Sequence, residues 1–162
     1  SLKQKDYSKW KSDKLKVFGI SECREVKRKI NERFICALDF ATKTHPVFNY
    51  YRNLFYGTGK KVITKEILDQ LTPRGLAIWI CDDGSYSKTQ DYIILCTNSF
   101  SLEEHELIKK FFNDKFGLDP TIGFRDGKYY YLRFKKDDTQ KLIKIIKPFL
   151  PQSMLYKIGE SK

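Results

Sequence analysis

The chain lacks any apolar run approaching the roughly 20 residues of a membrane span, and Ser1 opens a polar, basic stretch with no signal-peptide core. A soluble intracellular protein, of the cytoplasm or an organelle matrix and with no membrane partner, is expected. Cysteine pairs are also missing: Cys23, Cys36, Cys81 and Cys96 form no C-x-x-C, and only His45 and His105 could join them on zinc. Reduced thiols are expected, not a disulfide framework. Acid is scarce, with 20 Asp and Glu against 31 Lys and Arg, a formal charge of +11 spread along the whole length. That excess points to a polyanionic partner, the alternative being a solvated basic surface that only keeps the protein in solution. A hydrophobic fraction of 41% excludes a disordered tail and allows one core or two small halves that share one.

What is present is a repeat. Ser1–Phe18 and Ser101–Phe116 both open on Ser-Leu, carry apolar residues at helical spacing (Leu2, Tyr7, Trp10, Leu15, Phe18; Leu102, Leu107, Ile108, Phe111, Phe112, Phe116) and stop at Gly19 and Gly117. The second begins with a Ser-x-x-Glu capping box. Strand pairs follow, Cys23–Ile30 with Arg33–Ala41 and Thr121–Arg125 with Lys128–Lys135, the latter turning at Asp126-Gly127. Second helices come at Pro46–Phe55 and Thr139–Leu150. Lys61 then lies 42 positions after Gly19, and Lys157 lies 40 after Gly117. The second copy is preceded by a helix, an acidic turn and a strand in Leu71–Phe100, and the first has no such lead. The expected organisation is an N-terminal half, 1–70, lacking its opening helix and strand, and a complete C-terminal half, 71–162.

The helix opening the second half is capped by Thr72 with Pro73 in its first turn, and it is apolar almost all round from Leu76 to Cys81, which predicts burial. Gly75 and Ala77 are small enough to admit another backbone. Asp82 and Asp83 at its C-terminus oppose the macrodipole, at a cost of roughly 0.3–1 kcal/mol each where exposed. A divalent cation would compensate; ordinary Asp-Asp-Gly turn chemistry is the alternative.

Leu76-Ala77-Ile78-Trp79-Ile80-Cys81-Asp82-Asp83-Gly84 resembles the LAGLIDADG motif at Leu76, Ala77, Ile80, Asp83 and Gly84, and departs from it at the other four positions. Leu71-Thr72-Pro73, Asn98-Ser99-Phe100, Lys147-Pro148-Phe149-Leu150 and Met154-Leu155-Tyr156-Lys157 also look like the monomeric, intron-encoded homing endonucleases of that family. The likeness covers essentially the whole chain. It implies an α+β fold of two pseudo-twofold αββαββα halves, each with a curved antiparallel sheet for the DNA major groove, the first half here incomplete.

It also implies site-specific hydrolysis of double-stranded DNA with Mg²⁺, Mn²⁺ being a possible substitute. Asp83, with the adjoining Gly84, takes the metal position, and Lys157 takes the place of the basic residue near the scissile phosphate. Lys61 or its neighbour Lys60 would be the counterpart of Lys157 in the first half. Family members use two motif acids and this sequence carries one, so a missing N-terminal segment, or a second copy through the Leu76–Asp83 helix, is the expected partner besides DNA.

For reading DNA, alternation puts Tyr129, Tyr131, Arg133 and Lys135 on one strand face and Tyr130, Leu132 and Phe134 on the other. Arg133 suits guanine and Lys135 suits phosphate. In the first half Arg24 and Arg28 oppose Lys27 and Lys29, which leaves the binding face open. Ser85, Tyr86 and Lys88 are expected to form a contact turn directly after the acidic pair. The competing readings are a catalytically inactive DNA-binding protein or intron RNA maturase on the same scaffold, and a basic RNA-binding module whose strand aromatics stack on bases.

Overall fold

Apolar residues at the 3.6- and 2-residue periods organise the chain into six helices and six strands among the described residues, which in the computed structural model are 4–30 and 33–160. They pack as two compact units, Ser1–Tyr51 and Arg52–Lys162. No helix among the described residues is long and apolar enough to cross a membrane.

In the first unit, α1 (Lys5–Leu15) runs into a 3-10 turn, Lys16–Phe18, that Gly19 ends. Leu2, expected in the apolar stripe, lies outside the described residues; Tyr7 is buried and stacks with Trp10. Strands β1 (Arg24–Ile30) and β2 (Arg33–Asp39) form an antiparallel hairpin in the register Arg24↔Asp39 to Ile30↔Arg33. The helix α2 (Pro46–Tyr56) crosses the division between the units and has no buried residue. At its start Phe18, His45 and Phe48 form an aromatic cluster with ring centroids 5.1–6.3 Å apart.

The second unit holds α3 (Lys65–Asp69), α4 (Pro73–Asp83), β3 (Gly84–Ser87), β4 (Tyr92–Leu95), α5 (Leu102–Phe116), β5 (Thr121–Arg125), β6 (Tyr129–Phe134) and α6 (Lys136–Ile146). Two 3-10 segments, Lys147–Phe149 and Gln152–Ile158, follow. The strands make one antiparallel sheet in the order β3-β4-β6-β5. One face of it carries Ile93, Leu95, Leu132 and Phe134, all fully buried with Leu76 and Ile80 of α4, Ile108 and Phe112 of α5, and Leu142 and Ile146 of α6. Burial of each such side chain contributes about 1.5–3 kcal/mol, so the inner face anchors the sheet to the helices. The outer face is free to carry polar groups.

Three polar devices lock this core. Thr139, fully buried, accepts from Ile93 N at 3.0 Å and donates to Phe134 O at 2.8 Å, tying α6 to both central strands. His105, also fully buried, reaches Ser101 O through Nδ1 (2.7 Å) and Thr97 Oγ1 through Nε2 (2.6 Å). A carbonyl only accepts, so Nδ1 carries the proton and the Thr97 hydroxyl donates to Nε2. The expected capping box at Ser101 forms with both of its hydrogen bonds.

Two sequence expectations change. The one strand read after the acidic turn becomes the strand pair that the αββαββα resemblance implied: the chain passes from α4 straight into β3, and a β3–β4 hairpin results. Gly84 permits this because an added Cβ would collide with Ile80 O of the last helical turn. Ala77, expected on the side offered to another helix, is buried in the unit's own core, while Ile78 and Trp79 are only half-buried.

Candidate functional site

The site is built where α4 ends. Thr72 starts the helix, its Oγ1 accepting from Gly75 N at 3.2 Å, and the buried Leu76, Ala77, Ile80 and Cys81 fix its rotation. Asp82 and Asp83 are thereby left exposed in the last turn. The backbone of Asp83 is pinned, its carbonyl accepting from Cys96 N at 3.0 Å. Its carboxylate has no partner among the described residues.

The negative end of the helix is met by Lys157. From the Gln152–Ile158 segment its Nζ donates to Gly84 O at 2.6 Å, one residue beyond Asp83 and 73 positions away in sequence. A cation there opposes both the dipole and the acidic pair. Asp83, Gly84 and Lys157 thus converge, whereas Lys61 does not join them through any contact among the described residues. Its ammonium lies 5.4 Å from the centroid of the Phe100 ring, before α5.

From Gly84 the chain enters the sheet. Pairings Ser85↔Ile94, Ile94↔Arg133 and Arg133↔Thr121 set one row across all four strands of the outer face. On one side of that row stands Ser87↔Tyr92, and on the other stand Gly123↔Tyr131 and Arg125↔Tyr129. Cations and rings interleave on this face: Arg133 lies 4.3 Å from the Tyr92 centroid, Arg125 5.9 Å from Tyr131 and Lys128 4.7 Å from Tyr129. The expected grouping of Tyr129, Tyr131 and Arg133 opposite Leu132 and Phe134 follows from this register. Lys135 stands exposed just past the strand, at the N-cap of α6, and Lys88 is exposed in the β3–β4 turn.

Tyr86 departs from the expectation. It pairs with Ile93 on the inner side, its ring rests on Gly159, and its hydroxyl donates to Asp91 Oδ1 at 2.8 Å. Gln140 holds the same carboxylate at 3.2 Å. The Asp91 hydrogen bond, then burial, then the Asp91 charge push the Tyr86 phenol up. Tyr86 therefore braces β3 from behind, and only Ser85 and Ser87 of that strand face outward.

In the first unit, Glu25 reaches Lys5 of α1 at 2.7 Å, so the alternate face of β1, with exposed Arg24, turns away from α1. Arg28 shares its register, but its side chain lies outside the described residues. Sequence reasoning missed Tyr92, Ile94, Thr121 and Arg125. The signal was period two in β4 and β5, which becomes usable once their pairing with β6 is known.

Residues 1–142 match the family model described as the LAGLIDADG DNA endonuclease family. The chain belongs to that family. Among LAGLIDADG relatives, it is 41% identical over 125 residues to "Intron-encoded endonuclease ai4" of Dictyostelium discoideum, covering 75% of this chain and 76% of that protein. It is 33% identical over 124 residues to "Probable intron-encoded DNA endonuclease 3" of Mycosarcoma maydis, covering 74% and 90%. It is also 34% identical over 123 residues to "Cytochrome b mRNA maturase bI2" of Debaryomyces hansenii, covering 75% of this chain and 46% of that protein. The LAGLIDADG fold is seen in the homing endonuclease I-WcaI bound to its DNA recognition sequence, with a TM-score of 0.86 at 23% identity, over 94% of this chain and 70% of that one.

Proposed function

We propose that this LAGLIDADG protein binds duplex DNA on the outer face of its sheet and cuts it hydrolytically at the Asp83 turn. The observation that carries the reading is the exposed, unpartnered Asp83 carboxylate at the edge of a face lined by Tyr92, Arg133, Tyr131 and Arg125. Ser85 continues that face directly from Gly84, so DNA lying on it would bring a phosphate to Asp83.

Carboxylate oxygens suit Mg²⁺ or Mn²⁺, and an Mg²⁺ site commonly takes one or two carboxylates with water and substrate phosphates for the rest. No group of three or more potential ligands exists among the described residues. Asp83 therefore fits as one donor to an ion completed by DNA and by a second acid; Gly84 O already accepts from Lys157. When bound, the ion would lower the cost of forming hydroxide and of charging the leaving oxygen. Asp83 holds the donor position, because the backbone bond to Cys96 and the packed helix behind it fix where its Cα projects the carboxylate. Lys157 screens the two acids and, a short rotation away, can meet developing phosphate charge. Lys61 serves DNA binding, through phosphate, instead of this centre.

The second acid would come from a preceding segment or from another copy, with half-exposed Ile78 and Trp79 of α4 as the surface that meets it. The alternative, a maturase or DNA-binding protein that has lost cutting, is favoured by the single motif acid and by the yeast relative named a maturase.

The test is cleavage of a randomised duplex library in Mg²⁺ beside Asp83→Asn. The carboxylate's loss removes several kcal/mol at the transition state, so cutting falls about a hundredfold or more while binding persists. Binding without cutting by both proteins would favour the alternative, and no duplex binding would overturn the endonuclease reading.

A further inference from the structure

The geometry points to Tyr92 as the positioning residue that aims Arg133 at a guanine of the DNA lying on the sheet's outer face. This rests on the DNA-binding reading above and adds a specific base preference to it. Arg133 sits in the outer-face row Ser85, Ile94, Arg133, Thr121. Its neighbours there are the Thr121 and Ile94 side chains, a hydroxyl and a branched aliphatic group, with no carboxylate in the row. The guanidinium has no ion pair or hydrogen bond among the described residues. Such a group would ordinarily sweep many rotamers, and that freedom would blunt any base preference.

Tyr92 restricts it. Because Ile94 faces Arg133, Tyr92 lies two residues away on the same face of β4, the diagonal position from which a long side chain reaches across. The Arg133 Cζ stands 4.3 Å from its ring centroid, the shortest of the cation–ring contacts on this face. Tyr92 is itself half-buried and fixed by its pairing with Ser87. A guanidinium lying on a ring keeps its edge N–H groups free, and two of them match guanine O6 and N7. Arg125 and Tyr131 stand farther apart, at 5.9 Å, and Tyr131 is spread over Gly123. Arg133 is accordingly the base reader of this sheet, and Tyr92 sets its aim without touching the base.

The experiment is selection of bound duplexes from a randomised library, without cleavage, for the intact chain and for Arg133→Lys, Tyr92→Leu and Tyr92→Phe, each checked for native thermal unfolding. The intact chain is expected to select a consensus with one strongly preferred G·C pair. Arg133→Lys should lose about tenfold or more of the preference at that pair alone. Tyr92→Leu should lose a similar factor at the same pair and leave the others unchanged, and Tyr92→Phe, which keeps the ring, should restore it. A Tyr92→Leu protein that keeps the G·C preference, or that weakens binding evenly at every position, would overturn the assignment while leaving DNA recognition intact. Duplex binding with no selected consensus would overturn this inference and leave the DNA reading standing, whereas no duplex binding at all would overturn both.

Discussion

Tyr86 and Gly159 leave each other no spare space. Gly159 adopts φ +83°, and a Cβ there would enter the Tyr86 ring, so Gly159→Ala combines backbone strain with overpacking and should cost about 1–3 kcal/mol in urea unfolding. The phenol adds a pH dependence. Its hydrogen bond to Asp91 favours the neutral O–H, which raises the folded-state pKa above that of the unfolded chain. The stabilisation is thus complete below the unfolded phenol's titration and is lost as pH rises through the folded value. Wild-type stability should fall on the alkaline side more steeply than that of Tyr86→Phe, and ultraviolet titration should show a late-ionising tyrosine that the variant lacks; equal alkaline slopes would refute this. The sequence invited the opposite placement, because a Ser-Tyr-Ser-Lys stretch after two acids has the composition of a turn. Period two says that Tyr86 and Ser85 oppose one another and is silent on which is inward; Asp91, Gln140 and Gly159 decide it.

At the scale of elements, most of α4 and α5 was legible. Thr72-Pro73, the apolar run to Cys81, Ser101 with Glu104, and Gly117 are local signals, and local signals fix helix ends. Partners distant in sequence were not legible. Glu104 is a capping-box residue by pattern, yet its second carboxylate oxygen accepts from Ile63 N at 2.8 Å while the first bond, to Ser101 N, spans 2.7 Å. Glu104→Ala should cost about 1–3 kcal/mol, more than a cap alone. Amide exchange should speed up at both Ile63 and Ser101; acceleration at Ser101 only would mean the Ile63 bond is not a constraint. Lys157 was legible as a residue of interest but not as a helix cap, since nothing near it names Gly84. Lys157→Met should destabilise the end of α4 by about 1 kcal/mol and loosen Asp83, lowering cleavage with binding little changed. Lys157→Arg should recover the stability.

For the whole molecule, the charge of +11 and the Tyr and Arg face make different demands on DNA. Charge acts on phosphates, releases counterions and is indifferent to sequence; the outer face, on the proposed reading, would act on base edges and be indifferent to salt by comparison. Composition foretold the first, and only the strand order β3-β4-β6-β5 assembles the second. With six or more phosphate contacts, affinity should fall about a thousandfold between 50 and 200 mM salt. On the proposed reading Lys135, exposed at the N-cap of α6, would join the phosphate set. Lys135→Met should lower affinity for every duplex alike and reduce the salt slope by about one, whereas Arg133→Lys, which keeps the charge, should leave the slope intact and relax one base position. Measuring both variants across salt on a selected duplex and on a scrambled one separates the two contributions. If Lys135→Met altered base preference, or Arg133→Lys changed the slope, the division between a phosphate-gripping rim and a base-reading face would be wrong.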